Sequence, residues 1–179
     1  MAGKLKEGKV QIYTGDGKGK TTAAMGLALR AAGRGLKVFI CQFMKGRPTG
    51  EAMIIGERLS DLIEIHQCGG EEFIKDRNSP PQEAVRMARQ ALSLSRKALL
   101  SGKYDMVILD EINVAIYFNL ISEEEVLSLL REKPRKVELV LTGRRAPQRL
   151  VQAADLVTEM REIKHYFGQG LSAREGIEF

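Results

Sequence analysis

Cysteine is scarce in this chain, which has only Cys41 and Cys68 among 179 residues. Neither belongs to a CxxC pair, and neither has the spacing of a metal ligand. A domain of this length buries roughly 70% of the surface that its unfolded chain exposes, so it needs no disulfide or structural metal for stability. We therefore expect two reduced thiols in a cytoplasmic protein.

Long apolar runs are missing as well. The first residues, MAGKLK, contain no apolar stretch of signal-peptide length, and no run approaches the roughly 20 apolar residues that span a bilayer. The net charge of +5 suits an anionic ligand, but it is well short of the basic tails that bind nucleic acids. We expect a protein that is neither exported nor embedded in a membrane and that has no nucleic-acid partner, and charge alone does not decide that last point.

Short β-rich segments alternate with helical stretches along the whole chain. The helical stretches include residues 21–34, a long helix after Pro80-Pro81, and a helix that Ser122 caps ahead of three glutamates. The predicted strands are residues 10–14, 37–43, 62–66, 106–110, 137–141 and 156–160. This alternation predicts a single-domain α/β fold of the P-loop NTPase-like (RecA-like) type over residues 1–179, with a mostly parallel sheet and helices on both faces. Residues 1–8 are expected to form a flexible N-terminal segment.

A glycine-rich turn joins the first predicted strand to the first helix and carries the strongest chemical signal. Its backbone N–H groups are expected to converge on phosphate oxygens, its lysine to neutralise them, and the hydroxyl after the lysine to ligate Mg²⁺. Three residues separate the first glycine from Gly-Lys, where the usual pattern has four. The candidate nucleotide-binding residues are Gly15, Asp16, Gly17, Lys18, Gly19, Lys20, Thr21 and Thr22.

Two adjacent carboxylates close an apolar strand at residues 107–111, Val-Ile-Leu-Asp-Glu. A P-loop protein places the acidic partner of its magnesium ion at such a position. We therefore predict a metal site formed by Thr21 with Glu111, Asp110 or both. The two histidines, His66 and His165, are far apart in the sequence and do not indicate a shared metal or acid–base role.

Taken together, these motifs resemble the P-loop class of ATP:corrinoid adenosyltransferases, a family that includes cob(I)yrinic acid a,c-diamide adenosyltransferase. The resemblance extends over nearly the whole chain. It rests on the sequence YTGDGKGKTTAA at residues 13–24, ALRAAG at 28–33, QFMKG at 42–46, LDEIN at 109–113, LTGR at 141–144, ADLVTEM at 154–160, KH at 164–165 and GIEF at 176–179.

The resemblance implies that a Co(I) corrinoid attacks the 5′ carbon of ATP and that the whole triphosphate leaves. Lys20 and an Mg²⁺ ion held by Thr21 and Glu111 would then stabilise charge on the leaving triphosphate, and no general base is needed because the reduced cobalt is the nucleophile. Lys18 and Arg30 match family positions that are expected to contact phosphates. The family also implies a homodimer and an electron-donor protein such as a flavodoxin-like reductant.

A loop ahead of the long helix is the place where the sequence departs from its relatives. Related chains often read Phe-Thr-Trp there, and the aromatic residues are thought to displace the lower axial ligand of cobalt. This chain reads Phe73-Ile74-Lys75 and has no tryptophan anywhere. Phe73 is therefore a candidate catalytic wedge, and a plain core or surface role for it is equally open.

Two other functions remain open from the sequence. One is a P-loop ATPase or small-molecule kinase that cleaves the β–γ bond of ATP. The other is a nucleic-acid-binding ATPase module that uses the basic residues between 131 and 145, whose binding would weaken steeply with salt.

Overall fold

A computed structural model describes residues 5–70, 74 and 76–179. Its strands are β1 (Val10–Thr14), β2 (Val38–Phe43), β3 (Ile63–Cys68), β4 (Met106–Asp110), β5 (Glu138–Thr142) and β6 (Leu156–Glu159). Its helices are α1 (Lys20–Ala32), α2 (Gly50–Ile54), α3 (Gln82–Leu100), α4 (Ile112–Tyr117), α5 (Glu123–Glu132) and α6 (Gln148–Ala153). A π-helical turn, Ile55–Leu59, extends α2, and a 3₁₀ turn covers Tyr166–Gln169.

The six strands form one sheet in the order β3-β2-β4-β5-β1-β6, and every neighbouring pair is parallel. The α/β fold predicted from the sequence is therefore confirmed. The chain order reverses beside β1, which lies between β5 and β6, and ligands of such sheets bind at the carboxyl ends of strands near such reversals. The loops that follow β1, β2, β4 and β5 consequently lie at one edge of the sheet.

Helices cover both faces of the sheet, as the sequence predicted. Small buried residues of α1, such as Ala24 and Ala28, pack with Ile40 and Ile108 on one face. On the other face, α3, α4 and α5 pack with alternate residues of the same strands, such as Phe39 and Val107. Because successive residues of a strand point to opposite faces and both faces are covered, the central strands are apolar except near their ends, and all six residues of β2 are buried.

Two details of the elements add to the sequence prediction. The polar segment 45–51 becomes helical from Gly50, with Thr49 buried ahead of it. The predicted N-terminus at Ser122 is confirmed with more detail, because Ser122 and Glu125 form a reciprocal capping box.

The two cysteines are free, as expected. They lie on adjacent strands, however, with their Sγ atoms 3.7 Å apart.

Candidate functional site

The turn between β1 and α1 has the backbone of a phosphate-binding loop. Gly15 and Gly19 adopt positive φ values of 93° and 117°, a region that side chains other than glycine rarely enter. A Cβ atom on Gly15 would lie 2.4 Å from the carbonyl oxygen of Met160, so the loop leaves no room for a side chain there. The Gly17 N–H also donates to Met160 O at 2.7 Å. The segment after β6 thus packs against the outer side of the loop and restricts its conformation.

Lys20 fills the inside of this loop. Its side chain is almost fully buried, with the residue 7% exposed, and its Nζ atom donates to the carbonyl oxygens of Gly15 and Gly17 at 2.7 Å each. Burial lowers the pKa of the Lys20 ammonium, while the nearby Glu111 opposes that shift. A poorly solvated cation held by the loop backbone is well placed to bind the oxygens of a phosphate chain.

Asp110 ends β4 and is the centre of a polar cluster at the sheet edge. The residue is fully buried, and its Oδ1 atom accepts hydrogen bonds from Thr21 Oγ1 at 2.9 Å and Thr142 Oγ1 at 2.7 Å. Its Oδ2 atom accepts from Gln42 Nε2 at 3.1 Å and Lys45 Nζ at 2.9 Å. One carboxylate thereby joins the ends of β2, β4 and β5 to the start of α1, where it fixes the hydroxyl of Thr21.

Glu111 directs its carboxylate differently from Asp110. It has a left-handed backbone with φ of 63°, its N–H donates to Thr142 Oγ1 at 2.9 Å, and its side chain lines the cavity in front of the loop. Burial, followed by the proximity of Asp110, raises the pKa of the Glu111 carboxyl. The Thr21 hydroxyl and the carboxylates of Asp110 and Glu111 therefore lie together, and these are the hard oxygen ligands that Mg²⁺ prefers.

A cavity of about 520 Å³ opens in front of the phosphate-binding loop. Of the predicted nucleotide-binding residues, Gly17, Lys18, Gly19, Lys20, Thr21 and Thr22 line it. Gly15 and Asp16 belong to the same loop without lining the cavity. We call this space the nucleotide cavity.

Two predicted phosphate ligands, Lys18 and Arg30, have different surroundings. Lys18 donates from Nζ to Ile177 O at 3.0 Å and lies 3.5 Å from Glu178, so the C-terminal segment partly covers the cavity. Arg30 lies exposed in the last turn of α1 and is not among the residues that line the cavity. The structure thus brings Lys18 to the nucleotide cavity but not Arg30.

A second cavity, of about 440 Å³, lies on the α3 side of the same sheet edge. Its walls are largely apolar and come from the ends of β2 and β3, the first turns of α3, and α4 with the residues after it. We call it the apolar cavity; among its lining residues are Phe43, Met44, Ile74, Ala84, Met87, Val114, Phe118 and Leu120. Phe73 and Lys75 lie outside the residues that the structure describes, so the predicted wedge at Phe73 stays a prediction.

Lys45 is the main site residue that sequence reasoning missed. It lines both cavities, as Glu111 does, and its Nζ atom also lies 3.7 Å from Glu51. Gln42, Thr142 and Arg144 were likewise not singled out as site residues. The available signal was positional, because each of these residues stands at or just after the carboxyl end of a strand in a parallel sheet.

The described part of the chain contains no group of three or more His, Cys, Asp and Glu side chains that could hold a metal on their own. Its helices also include none that is long and apolar enough to cross a membrane.

Comparison with known proteins gives one consistent result. Residues 6–179 match the family described as ATP:corrinoid adenosyltransferase BtuR/CobO/CobP. A corrinoid adenosyltransferase of Sinorhizobium sp. is 38% identical over 182 residues, which cover all of this chain and 84% of that relative. Corrinoid adenosyltransferases of Escherichia coli K12 and of Salmonella typhimurium LT2, the latter called CobA, are each 34% identical over 97% of this chain and 87% of their own length.

Proposed function

The chain belongs to the ATP:corrinoid adenosyltransferase family and is a transferase of the adenosyl group, and from this premise we propose how its two cavities serve the reaction. A Co(I) corrinoid attacks the 5′ carbon of ATP, a cobalt–carbon bond forms, and the intact tripolyphosphate leaves. The observation that carries the proposal is the pairing of a phosphate-binding loop with an adjoining apolar cavity, in a chain that matches this family over residues 6–179.

ATP is proposed to bind in the nucleotide cavity. Lys20 and the N–H groups at the start of α1 supply donors to the triphosphate, and Lys18 adds a cation at the rim. The nucleotide must displace or share the contact between Lys18 and the C-terminal segment. Arg30 lies in the last turn of α1 and is proposed to act outside this cavity.

The polar cluster is suited to an Mg²⁺ ion. Thr21 and Glu111 would hold it directly and Asp110 would orient Thr21, which leaves the remaining coordination positions to phosphate oxygens and water. Bound Mg²⁺ supplies neutralisation of the charge on the leaving triphosphate. Its positive charge would also oppose the effect of burial on the pKa of Glu111 and keep that carboxylate ionised.

The corrinoid is proposed to bind at the apolar cavity. A corrin macrocycle is larger than this space, so only one face or edge of it would enter, against side chains such as Met87 and Phe118. Phe73 would act near the rim as the wedge that displaces the lower axial ligand. We further propose a homodimer located in the cytoplasm and a flavodoxin-like reductant that supplies the electron.

A direct test is anaerobic incubation of the protein with ATP, Mg²⁺ and chemically reduced cobalamin or cobinamide. The proposal predicts a light-sensitive alkylcobalt spectrum together with tripolyphosphate, and both should disappear in Lys20→Ala. Lys97→Ala, an exposed lysine of α3, is the matched control and should retain activity. Release of orthophosphate without any alkylation would instead support the kinase or ATPase alternative.

A further inference from the structure

The bond that breaks in the proposed reaction must lie between the two cavities. Its carbon faces the cobalt in the apolar cavity, and its oxygen belongs to the triphosphate in the nucleotide cavity. Residues that line both cavities are therefore the ones that can touch the reacting atoms. Among the described residues, Lys45 and Glu111 meet this condition.

We infer that Lys45 is a catalytic residue, whose ammonium stabilises the negative charge that develops on the leaving 5′ oxygen of ATP. This inference rests on the proposed function. When the Co(I) centre attacks the 5′ carbon, the cobalt supplies the electron pair of the new bond and becomes Co(III). The carbon–oxygen bond breaks, and its electron pair goes to the 5′ oxygen of tripolyphosphate. No proton is transferred, so a fixed cation is the group that this oxygen needs.

Charge selects Lys45 over its neighbours. Glu111 is an acid and would repel the developing anion, and it is already proposed to hold Mg²⁺. Lys18, Lys20 and Arg144 line the nucleotide cavity but do not line the apolar one. Lys45 is thus the cation at the junction within the part of the chain that the structure describes.

The backbone around Lys45 holds it firmly in place. Met44 has a positive φ of 59°, unusual for a residue other than glycine, and its N–H donates to Cys68 O at 3.0 Å. The next loop packs directly on this turn, since a Cβ atom on Gly69 would lie 2.3 Å from the carbonyl carbon of Met44. A turn held by this neighbouring segment limits where the Lys45 side chain can go, which favours preorganised stabilisation of charge.

Two carboxylates contact the side chain of Lys45, which remains partly exposed. Lys45 Nζ lies 2.9 Å from Asp110 Oδ2 and 3.7 Å from Glu51, while the side chain is 24% exposed. The ammonium has three N–H donors, so it can keep the bond to Asp110 and still donate to a substrate oxygen. The carboxylates orient the cation and leave part of it facing the junction.

The test compares Lys45→Met and Lys45→Gln with the unaltered enzyme in the anaerobic assay, and measures ATP dissociation constants in parallel. Removing one donor to a developing oxyanion typically lowers kcat by about 100- to 1,000-fold. We expect a loss of that size, with the ATP dissociation constant changed less than about threefold. Lys45→Gln keeps a donor for Asp110 without the charge, so it carries the test if Lys45→Met fails to fold. Lys97→Met is the matched control and should retain kcat.

The outcomes separate the inference from its premise. An unaltered kcat in both variants, or a loss explained entirely by weaker ATP binding, would overturn the role of Lys45. A melting temperature that falls in step with kcat in both variants would assign Lys45 to structure instead. Failure of the unaltered protein to alkylate any corrinoid would contradict the proposed function itself.

Discussion

The buried carboxylate of Asp110 offers a quantitative test of how the sheet edge is built. Asp110→Asn keeps the shape of the side chain but removes the charge and turns one oxygen into an N–H donor. The remaining oxygen can face Gln42 and Lys45, because both can only donate at that side. The amide nitrogen then faces Thr21 and Thr142, whose hydroxyl hydrogens lose their acceptor.

The size of the effect follows from these bonds. A hydrogen bond to a charged group contributes about 1.5–3 kcal/mol, and two of the four are lost in the best arrangement of the amide. The ion pair with Lys45 adds no more than about 1 kcal/mol, because the lysine is partly exposed to solvent. We therefore expect Asp110→Asn to lower the free energy of unfolding by about 3–7 kcal/mol, a large fraction of the roughly 5–15 kcal/mol of a typical domain. For a chain of this length that loss corresponds to a melting temperature lower by roughly 6–28 °C.

Urea unfolding followed by far-ultraviolet circular dichroism measures this difference, since the chain has no tryptophan for fluorescence. The measurement is made without nucleotide or Mg²⁺, so that ligand binding does not add to the apparent stability. Asp105→Asn is the matched control, because Asp105 accepts one bond, from Lys37 N–H at 2.9 Å, at an exposed site. A loss below about 1 kcal/mol for Asp110→Asn, or an equal loss in the control, would refute the electrostatic account of the cluster.

Two further changes test other parts of the structure. A Cβ atom on Gly17 would lie 2.8 Å from backbone atoms of Arg161, so Gly17→Ala should displace the loop and weaken ATP binding at least about 100-fold in a nucleotide titration. Gly26→Ala in α1 is the control, because a Cβ atom there meets no atom within 4 Å. It should keep the ATP affinity and stabilise the protein by about 0.5–1 kcal/mol. Hydrogen bonds from His66, then Lys103 and Tyr104, lower the pKa of Glu64 from 4.5 to about 2. Its stabilisation is therefore complete above pH 4.5 and is lost as the pH falls toward 2, so Glu64→Gln should cost about 1 kcal/mol at pH 7 and progressively less below pH 4.5 in urea unfolding. A pH-independent difference would contradict that assignment.

The sequence predicted the strands well where burial controls them. The run at residues 106–110 is apolar because β4 lies in the middle of the sheet, and its position was confirmed. The exposed edge strand β6 was also found, since Leu156 and Val157 keep β-forming side chains despite their exposure. Local pattern was sufficient in both cases.

The site was only partly predictable, for a physical reason. The phosphate-binding loop is contiguous in sequence, so its residues could be named directly. Lys45 lies in a polar segment where a lysine is ordinarily solvated, and the QFMKG motif at residues 42–46 does not by itself say what this lysine contacts. Its contacts with Asp110 join residues 65 positions apart and exist only because β2 and β4 are neighbours in the sheet.

The placement of the two cavities on the α1 side and the α3 side of one sheet edge has an evolutionary consequence. The walls of the apolar cavity come largely from α3 and the residues after α4, whereas the nucleotide cavity is built on the start of α1. If the corrinoid binds at the apolar cavity as proposed, changes at positions such as Ala84 or Met87 would alter the choice of corrinoid without disturbing the residues proposed to hold ATP. Only Lys45 and Glu111, among the residues described, face constraints from both sides at once.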